Sequence, residues 1–168
     1  MNRAPSYGKQ DRSTSAAAVY DCLRAGDGLV RAISGATRIG GLHVSVLRCA
    51  AAPGSDAQAT QVASGASALL CRIADLERQY RQGVSPGSAR VVAVVSASAP
   101  TIAYRALTEA ARGVAQSVTD ERLPGVRNCA VVTHLGDRTE DLIRTLRFLA
   151  SPAGGFVAGS WIDLGVSP

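Results

Sequence analysis

The stretch "RVVAVVSASAPTIAYRALTEAARG", residues 90 to 113, combines two kinds of apolar periodicity. It begins with a nearly continuous run of valine and alanine, which is typical of a strand buried on both faces of a parallel sheet. After Pro100 the apolar residues recur every three or four positions, which predicts an amphipathic helix. Since α/β sheets are built from strands that lead directly into helices, this stretch predicts an α/β fold.

The same alternation continues on both sides of this stretch. Short β-branched runs at 42–47 and 129–132 predict further strands, and apolar residues with helical spacing predict helices at 57–82, 102–122 and 139–150. Short connections between such segments favour right-handed βαβ units. We therefore predict a Rossmann-like three-layer sandwich with long helices and a mostly parallel sheet of about four strands.

The N-terminal residues have a different composition from the rest of the chain. Residues 1–15 are polar and charged, so we predict a flexible tail followed by one α/β domain over 16–168, with a first helix at about 15–33. No apolar run approaches the roughly 20 residues that cross a bilayer. The tail also lacks the apolar segment of a secretion signal, so we expect a cytoplasmic protein with no membrane partner.

Charge and cysteine content disfavour two further classes of function. The net charge is +5, but the arginines are scattered and aromatic residues make up only 4%, so no nucleic-acid-binding face is indicated. The four cysteines are far apart and form no Cys-x-x-Cys motif. A zinc site is therefore not expected, and reduced, buried thiols are the simpler interpretation.

Three phrases resemble the later part of the short-chain dehydrogenase/reductase family. "RVVAVVSASA" (90–99) resembles the strand that ends at the family's catalytic serine, and "VRNCAVV" (126–132) resembles its Gly-Ile-Arg-Val-Asn-Ala-Val strand. "RTEDLIRTLRFLASPAGGFVAGSWIDLG" (138–165) resembles its last helix, Phe-Leu-Ala-Ser turn and final strand. The resemblance covers roughly residues 40 to 165, and it implies an N-terminally truncated Rossmann-like fold.

The resemblance also implies which residues correspond to the family's catalytic pair. Ser96 corresponds to the serine and Tyr104 to the tyrosine, but Thr108 stands where the family has the lysine that favours the phenolate and holds the nicotinamide ribose. The glycine-containing segment "SGATRIGG" (34–41) follows no predicted strand, so we expect a helix end and turn there, not a dinucleotide site. The chain is therefore expected to bind no cofactor itself, with Ser96 and Tyr104 as vestigial catalytic positions.

Three other side chains have their own interpretations. His134 lines a pocket shared with a partner or is simply solvated in a loop. Trp161 anchors a subunit interface or fills the core. His43, within a predicted strand, is expected to be a structural residue with a hydrogen-bond partner.

The resemblance implies a function in an assembly. Family subunits pair through two long helices and through the last helix and strand, which correspond here to 57–82, 102–122 and the C-terminal strand. We therefore expect a catalytically degenerate, ketoreductase-like subunit that pairs with a full-length short-chain reductase carrying NAD(P)H. The expected setting is bacterial polyketide or antibiotic biosynthesis, with an acyl carrier protein as a further partner.

Two alternatives remain open at this point. One is a short NAD(P)H-dependent oxidoreductase that uses Tyr104 and Ser96 with a cofactor held by a partner subunit. The other is a truncated gene product without a function.

Overall fold

The computed structural model describes residues 19–21, 29, 33, 42–50, 54–84, 89–136 and 138–165. Within these residues strands and helices alternate along the chain. The elements are β1 (Val19–Asp21), β2 (Leu42–Cys49), α1 (Ser55–Arg81), β3 (Ala89–Ala97), α2 (Ile102–Glu121), β4 (Val126–Leu135), α3 (Thr139–Ala150), a 3-10 turn (Ala153–Phe156) and β5 (Trp161–Leu164). None of the described helices has the length and apolarity that crossing a membrane requires.

The strands form one parallel sheet in the order β1-β2-β3-β4-β5. Parallel neighbours need a crossover connection, and the helices between the strands supply it. The predicted α/β, Rossmann-like class is confirmed, and the four predicted strands are all present. β1 is a fifth strand that was not predicted from the sequence.

The prediction of a helix over 15–33 is wrong for the N-terminal part of that range. Val19–Asp21 pairs with β2 as a short parallel strand, with Val19 opposite Val44. A short apolar run fits a helix or a strand equally well, and pairing with the edge of a sheet decides between them. A strand therefore does precede "SGATRIGG", but that segment and the predicted tail at 1–15 lie outside the described residues.

The sheet separates two apolar layers. Val91 and Val95 of β3 face one layer, where α1 and α2 cover the sheet. Val92 and Val94 face the other layer, where α3 and Ile33 cover it. Because strand side chains alternate between faces, residues next to each other in sequence belong to different layers.

α1 and α2 pack closely against each other at Gly65. A Cβ atom added to Gly65 would lie 2.8 Å from Cδ1 of Leu107, which is fully buried on α2. Gly65 therefore permits a close approach between two helices of the same chain.

Arg90 and Asn128 are neighbours on β3 and β4, and they hold the segment between α3 and β5. The side-chain nitrogen of Asn128 donates to the carbonyl oxygens of Gly155 and Val157. The Arg90 guanidinium donates to three carbonyl oxygens at the end of α3, at 2.7 to 2.9 Å, those of Leu149, Ala150 and Ser151. These carbonyls have no partner within the helix, and a positive charge there also stabilises the helix dipole.

His43 of β2 has the hydrogen-bond partner that its strand position predicted. Nη2 of Arg72, a buried residue of α1, lies 2.8 Å from Nδ1 of His43. Since a guanidinium can only donate, Nδ1 accepts and the imidazole is neutral. Burial, and then the charge of Arg72, lower the pKa of His43 to about 4.

The cysteines only partly match the expectation of buried thiols. Cys49 and Cys129 are buried and free, and burial raises the pKa of Cys49 to about 11 and that of Cys129 to about 12. Cys71 is exposed on α1, so the expectation is wrong for this residue. Cys22 lies outside the described residues.

Replacing Gly65 by valine tests the close contact between α1 and α2. The added side chain overlaps Leu107, so we expect Gly65→Val to lower the free energy of unfolding by about 2 kcal/mol in urea denaturation. Gly113 on α2 has nothing within 4 Å of an added Cβ, which makes Gly113→Val the matched control. That control is expected to change stability by less than about 0.5 kcal/mol. Equal losses in both variants would contradict the packing described.

The pair of His43 and Arg72 predicts how stability depends on pH. The folded pKa of about 4 lies below the ordinary pKa of 6.5, so the unfolded chain binds more protons between these values. Stability from this site is therefore complete above pH 6.5 and is lost as the pH falls towards 4. For a half-buried pair we expect a loss of about 1 kcal/mol between about pH 7 and pH 5. His43→Gln should remove that part of the pH dependence in urea denaturation, and an unchanged slope would contradict this assignment.

Candidate functional site

Three polar side chains form a row across the carboxyl ends of the central strands. Arg48 of β2 is the register partner of Ser96 of β3, and Ser96 is the register partner of His134 of β4. All three lie on the face that α3 covers, in step with Val92 and Val94. Oγ of Ser96 and Nδ1 of His134 are 3.1 Å apart and both residues are buried. The row therefore places a cation, a hydroxyl and an imidazole side by side on adjacent strands.

This row lines a cleft of about 520 Å³, which we call the Arg48 cleft. Gln61 of α1 and Thr139, the first residue of α3, also line it. Ligands of open parallel α/β sheets bind at the carboxyl ends of the strands, where this cleft lies. Its volume is within the range of small-molecule sites.

Tyr104 lines a second cleft, of about 430 Å³, on the α2 side of the sheet. Thr101 caps the start of α2 by accepting a hydrogen bond from the Tyr104 backbone nitrogen at 3.1 Å, which fixes Tyr104 in the first turn. Oγ1 of Thr133 donates to the Asp163 carboxylate at 2.6 Å and accepts from Nε1 of Trp161 at 3.3 Å. The phenol thus adjoins a hydrogen-bonded group that joins β4 to β5.

The surroundings of Tyr104 keep its phenol protonated. Burial is the largest cause that raises the pKa of Tyr104 above its usual range, and the charge of Asp163 raises it further. A hydrogen bond with Thr133 lowers this pKa by less than burial raises it. A proton-transfer tyrosine needs the opposite shift, towards neutral pH.

The structure does not bring Ser96 and Tyr104 together. Ser96 lines the Arg48 cleft and bonds to His134, whereas Tyr104 lines the second cleft beside Thr133. Because Thr133 and His134 are consecutive residues of β4, their side chains face opposite sides of the sheet. The serine and tyrosine positions inferred from the resemblance therefore belong to separate sites.

The residues around Tyr104 do not fit a nicotinamide ribose, although the family resemblance implies this cofactor. Oγ1 of Thr108 donates to the carbonyl oxygen of Tyr104 at 2.8 Å, so this hydroxyl is occupied within its own helix. Thr108 is buried and carries no charge to favour a phenolate. Position 108 therefore supplies neither the donor for the ribose nor the charge for the phenol.

The structure excludes one interpretation of His134 and one of Trp161. The solvated-loop interpretation of His134 is wrong, since this residue lies within β4 and is buried. The indole of Trp161 is partly exposed at the edge of the sheet, with the Arg112 guanidinium carbon 4.5 Å from the ring centroid. Trp161 is thus not a core-filling residue.

Arg48 and Gln61 line the cleft but were not predicted from the sequence. Arg48 follows the apolar run "LHVSVL", and its alternation with Val44 and Val46 was the available signal that it shares their face. Gln61 lies on α1, whose helical pattern gave no signal for a role in the cleft. Among the described residues, no three His, Cys, Asp or Glu side chains are grouped as metal ligands would be.

Comparison with known proteins supports the fold. No family model and no curated protein matches the chain. Among solved structures, the chain is similar to BdcA (YjgI) from E. coli, with a TM-score of 0.53 and 20% sequence identity over 82% of this chain and 67% of that one. At this identity the similarity shows the α/β fold alone.

Proposed function

We propose that this chain is a catalytically degenerate, reductase-like subunit that assembles with a full-length short-chain ketoreductase or dehydrogenase and stabilises it. The observation that carries the proposal is that the side chains of Ser96 and Tyr104 lie on opposite faces of the sheet and line separate clefts. A serine and a tyrosine that act on one carbonyl must both reach its oxygen. Side chains in two separate clefts do not meet this condition.

The protonation state of Tyr104 supports the same conclusion. With its pKa raised by burial and no lysine at position 108, the phenol is a poor base at neutral pH. Tyr104 is buried in the apolar core between the helices and the sheet, so its ring has a packing role.

Exposed apolar side chains support assembly with a partner. Leu70 on α1 is 51% exposed, and Ile102 at the start of α2 is 79% exposed. Phe156, in the turn before β5, is 92% exposed, and Trp161 is partly exposed on β5 itself. Large apolar side chains on a surface are typical of interaction sites when they are grouped. These residues lie on the helices and the C-terminal segment through which family subunits pair.

The proposal assigns the cofactor and the substrate to the partner. NAD(P)H belongs to the complete reductase, because the residues around Tyr104 do not fit the nicotinamide ribose. Acyl groups on a carrier protein are the proposed substrate class, and the support for this class is the family resemblance alone.

Co-purification with a short-chain reductase encoded beside this chain tests the proposed assembly. Leu70→Glu and Phe156→Glu place a charge on the proposed interfaces, so each is expected to reduce the recovered reductase at least about tenfold. Val84 is 69% exposed just beyond α1 and outside the proposed interfaces, so Val84→Glu is the matched control. A stable monomer that recovers no reductase, or equal recovery with all three variants, would overturn the proposal.

Tyr104→Phe distinguishes the proposed non-catalytic subunit from the alternative in which this chain is itself an oxidoreductase. We expect the assembled complex to keep its turnover within about twofold, because the hydroxyl takes no part in proton transfer. Loss of the hydroxyl should lower stability by about 1 kcal/mol through the weakened contact with Thr133. The same substitution at the partner's own catalytic tyrosine should abolish turnover. If Tyr104→Phe abolishes turnover while the complex still forms, the chain is catalytic.

A further inference from the structure

The Arg48 cleft has no part in the proposed assembly. We propose that this cleft binds an acidic small molecule, whose carboxylate or phosphate group is held by Arg48. The proposal depends on the cleft itself and stands independently of the reductase partner.

Arg48 is a cation without a counter-ion in the described part of the chain. It makes no hydrogen bond or ion pair with the described residues, and its Nε atom is buried. A guanidinium stays charged at any physiological pH and carries five donors in a planar fork that matches carboxylate and phosphate oxygens. Nη1 and Nη2 are not among the buried atoms of Arg48 and have no partner among the described residues, so they are open to a ligand, and an anion bound to them stabilises the folded chain.

The wall of the cleft around Arg48 suits an anion. Ser96 lies one strand away, about 5 Å across the sheet, and its hydroxyl is a second donor for the same group in the tautomer in which Nδ1 of His134 donates to Oγ. No acidic side chain lines the described part of the cleft. Two acidic residues that directly follow Thr139, Glu140 and Asp141, pair with the exposed residues Arg138 and Arg144. Nothing in the described part of this wall neutralises Arg48.

The volume of the cleft and its other lining residues indicate what the ligand carries besides its anionic group. A volume of about 520 Å³ exceeds what a bare anion fills, so the ligand carries an organic body. The side chain of Gln61 lines the same cleft, and its amide nitrogen is a donor for a hydroxyl or carbonyl oxygen of the ligand. The chemistry that fits is therefore an organic acid with further oxygen groups, ending in either a carboxylate or a phosphate.

Thermal unfolding of the full chain, alone or in its complex, tests the anion site. The probes are potassium phosphate and potassium succinate at about 20 mM, each compared with potassium chloride at equal ionic strength. For a dissociation constant of about 1 mM, we expect Tm to rise by about 4 °C or more with at least one probe. A rise with phosphate alone identifies a phosphate ligand, and a rise with succinate alone identifies a carboxylate ligand.

Arg48→Gln is the variant that tests the assignment to this residue. It removes the charge and breaks no contact within the described structure, so the protein should fold and bind the effective probe at least about tenfold more weakly. Without added anion, its Tm should be close to that of the unchanged chain, because no contact with the described residues is lost. Arg127→Gln, at an exposed position of β4, is the matched control and should keep the anion response.

A second measurement reads the site directly. In a ¹H–¹⁵N spectrum, the Nε–H resonance of Arg48 should shift on titration with the effective probe and reach saturation. The proposal is overturned if neither probe raises Tm, if Arg48→Gln keeps the full response, or if the Nε–H resonance of Arg48 does not move while other signals do.

Discussion

The alternation of side chains along parallel strands determines which groups of this protein meet. Thr133 and His134 follow each other on β4, yet His134 joins Ser96 on one face while Thr133 adjoins Tyr104 on the other. Side chains of two consecutive residues in a strand therefore lie on opposite sides of the sheet. The separation of the expected catalytic pair follows from this constraint, because the Ser96 hydroxyl could reach the face covered by α2 and Tyr104 only through a shift in the register of β3.

The amount of structure that the sequence predicts depends on how strongly each segment repeats its pattern. The strand and helix at 90–113 were predicted correctly because a long valine run and a helical stripe are both unambiguous. β1 was missed because a segment as short as Val19–Asp21 becomes a strand only through pairing with β2. His134 was interpreted as a loop residue because β4 extends beyond its apolar run to Leu135. The row of Arg48, Ser96 and His134 depends on the register between three strands. No local sequence pattern encodes that register, so the row was not predicted.

Tyr104 occupies a position that resembles a catalytic one, but its surroundings favour a different role. In the resembling family a neighbouring lysine makes this phenol reactive, whereas here Thr108 donates to the helix backbone and burial raises the pKa of the phenol. The ring still fills the space between α2 and the sheet, where it belongs to the apolar core. In this chain the position of Tyr104 serves packing, which is independent of a cofactor.

The contact of Arg90 with the end of α3 has a consequence for the order in which the chain folds. Arg90 and the carbonyl oxygens that it holds are about 60 residues apart in sequence, and Asn128, which holds the following turn, is its neighbour only once β3 and β4 have paired. Closing so long a loop is entropically costly before those strands exist. We therefore expect α3 and β5 to dock late in folding. β3 and β4 must pair first, because only then do Arg90 and Asn128 lie side by side to bind the C-terminal segment.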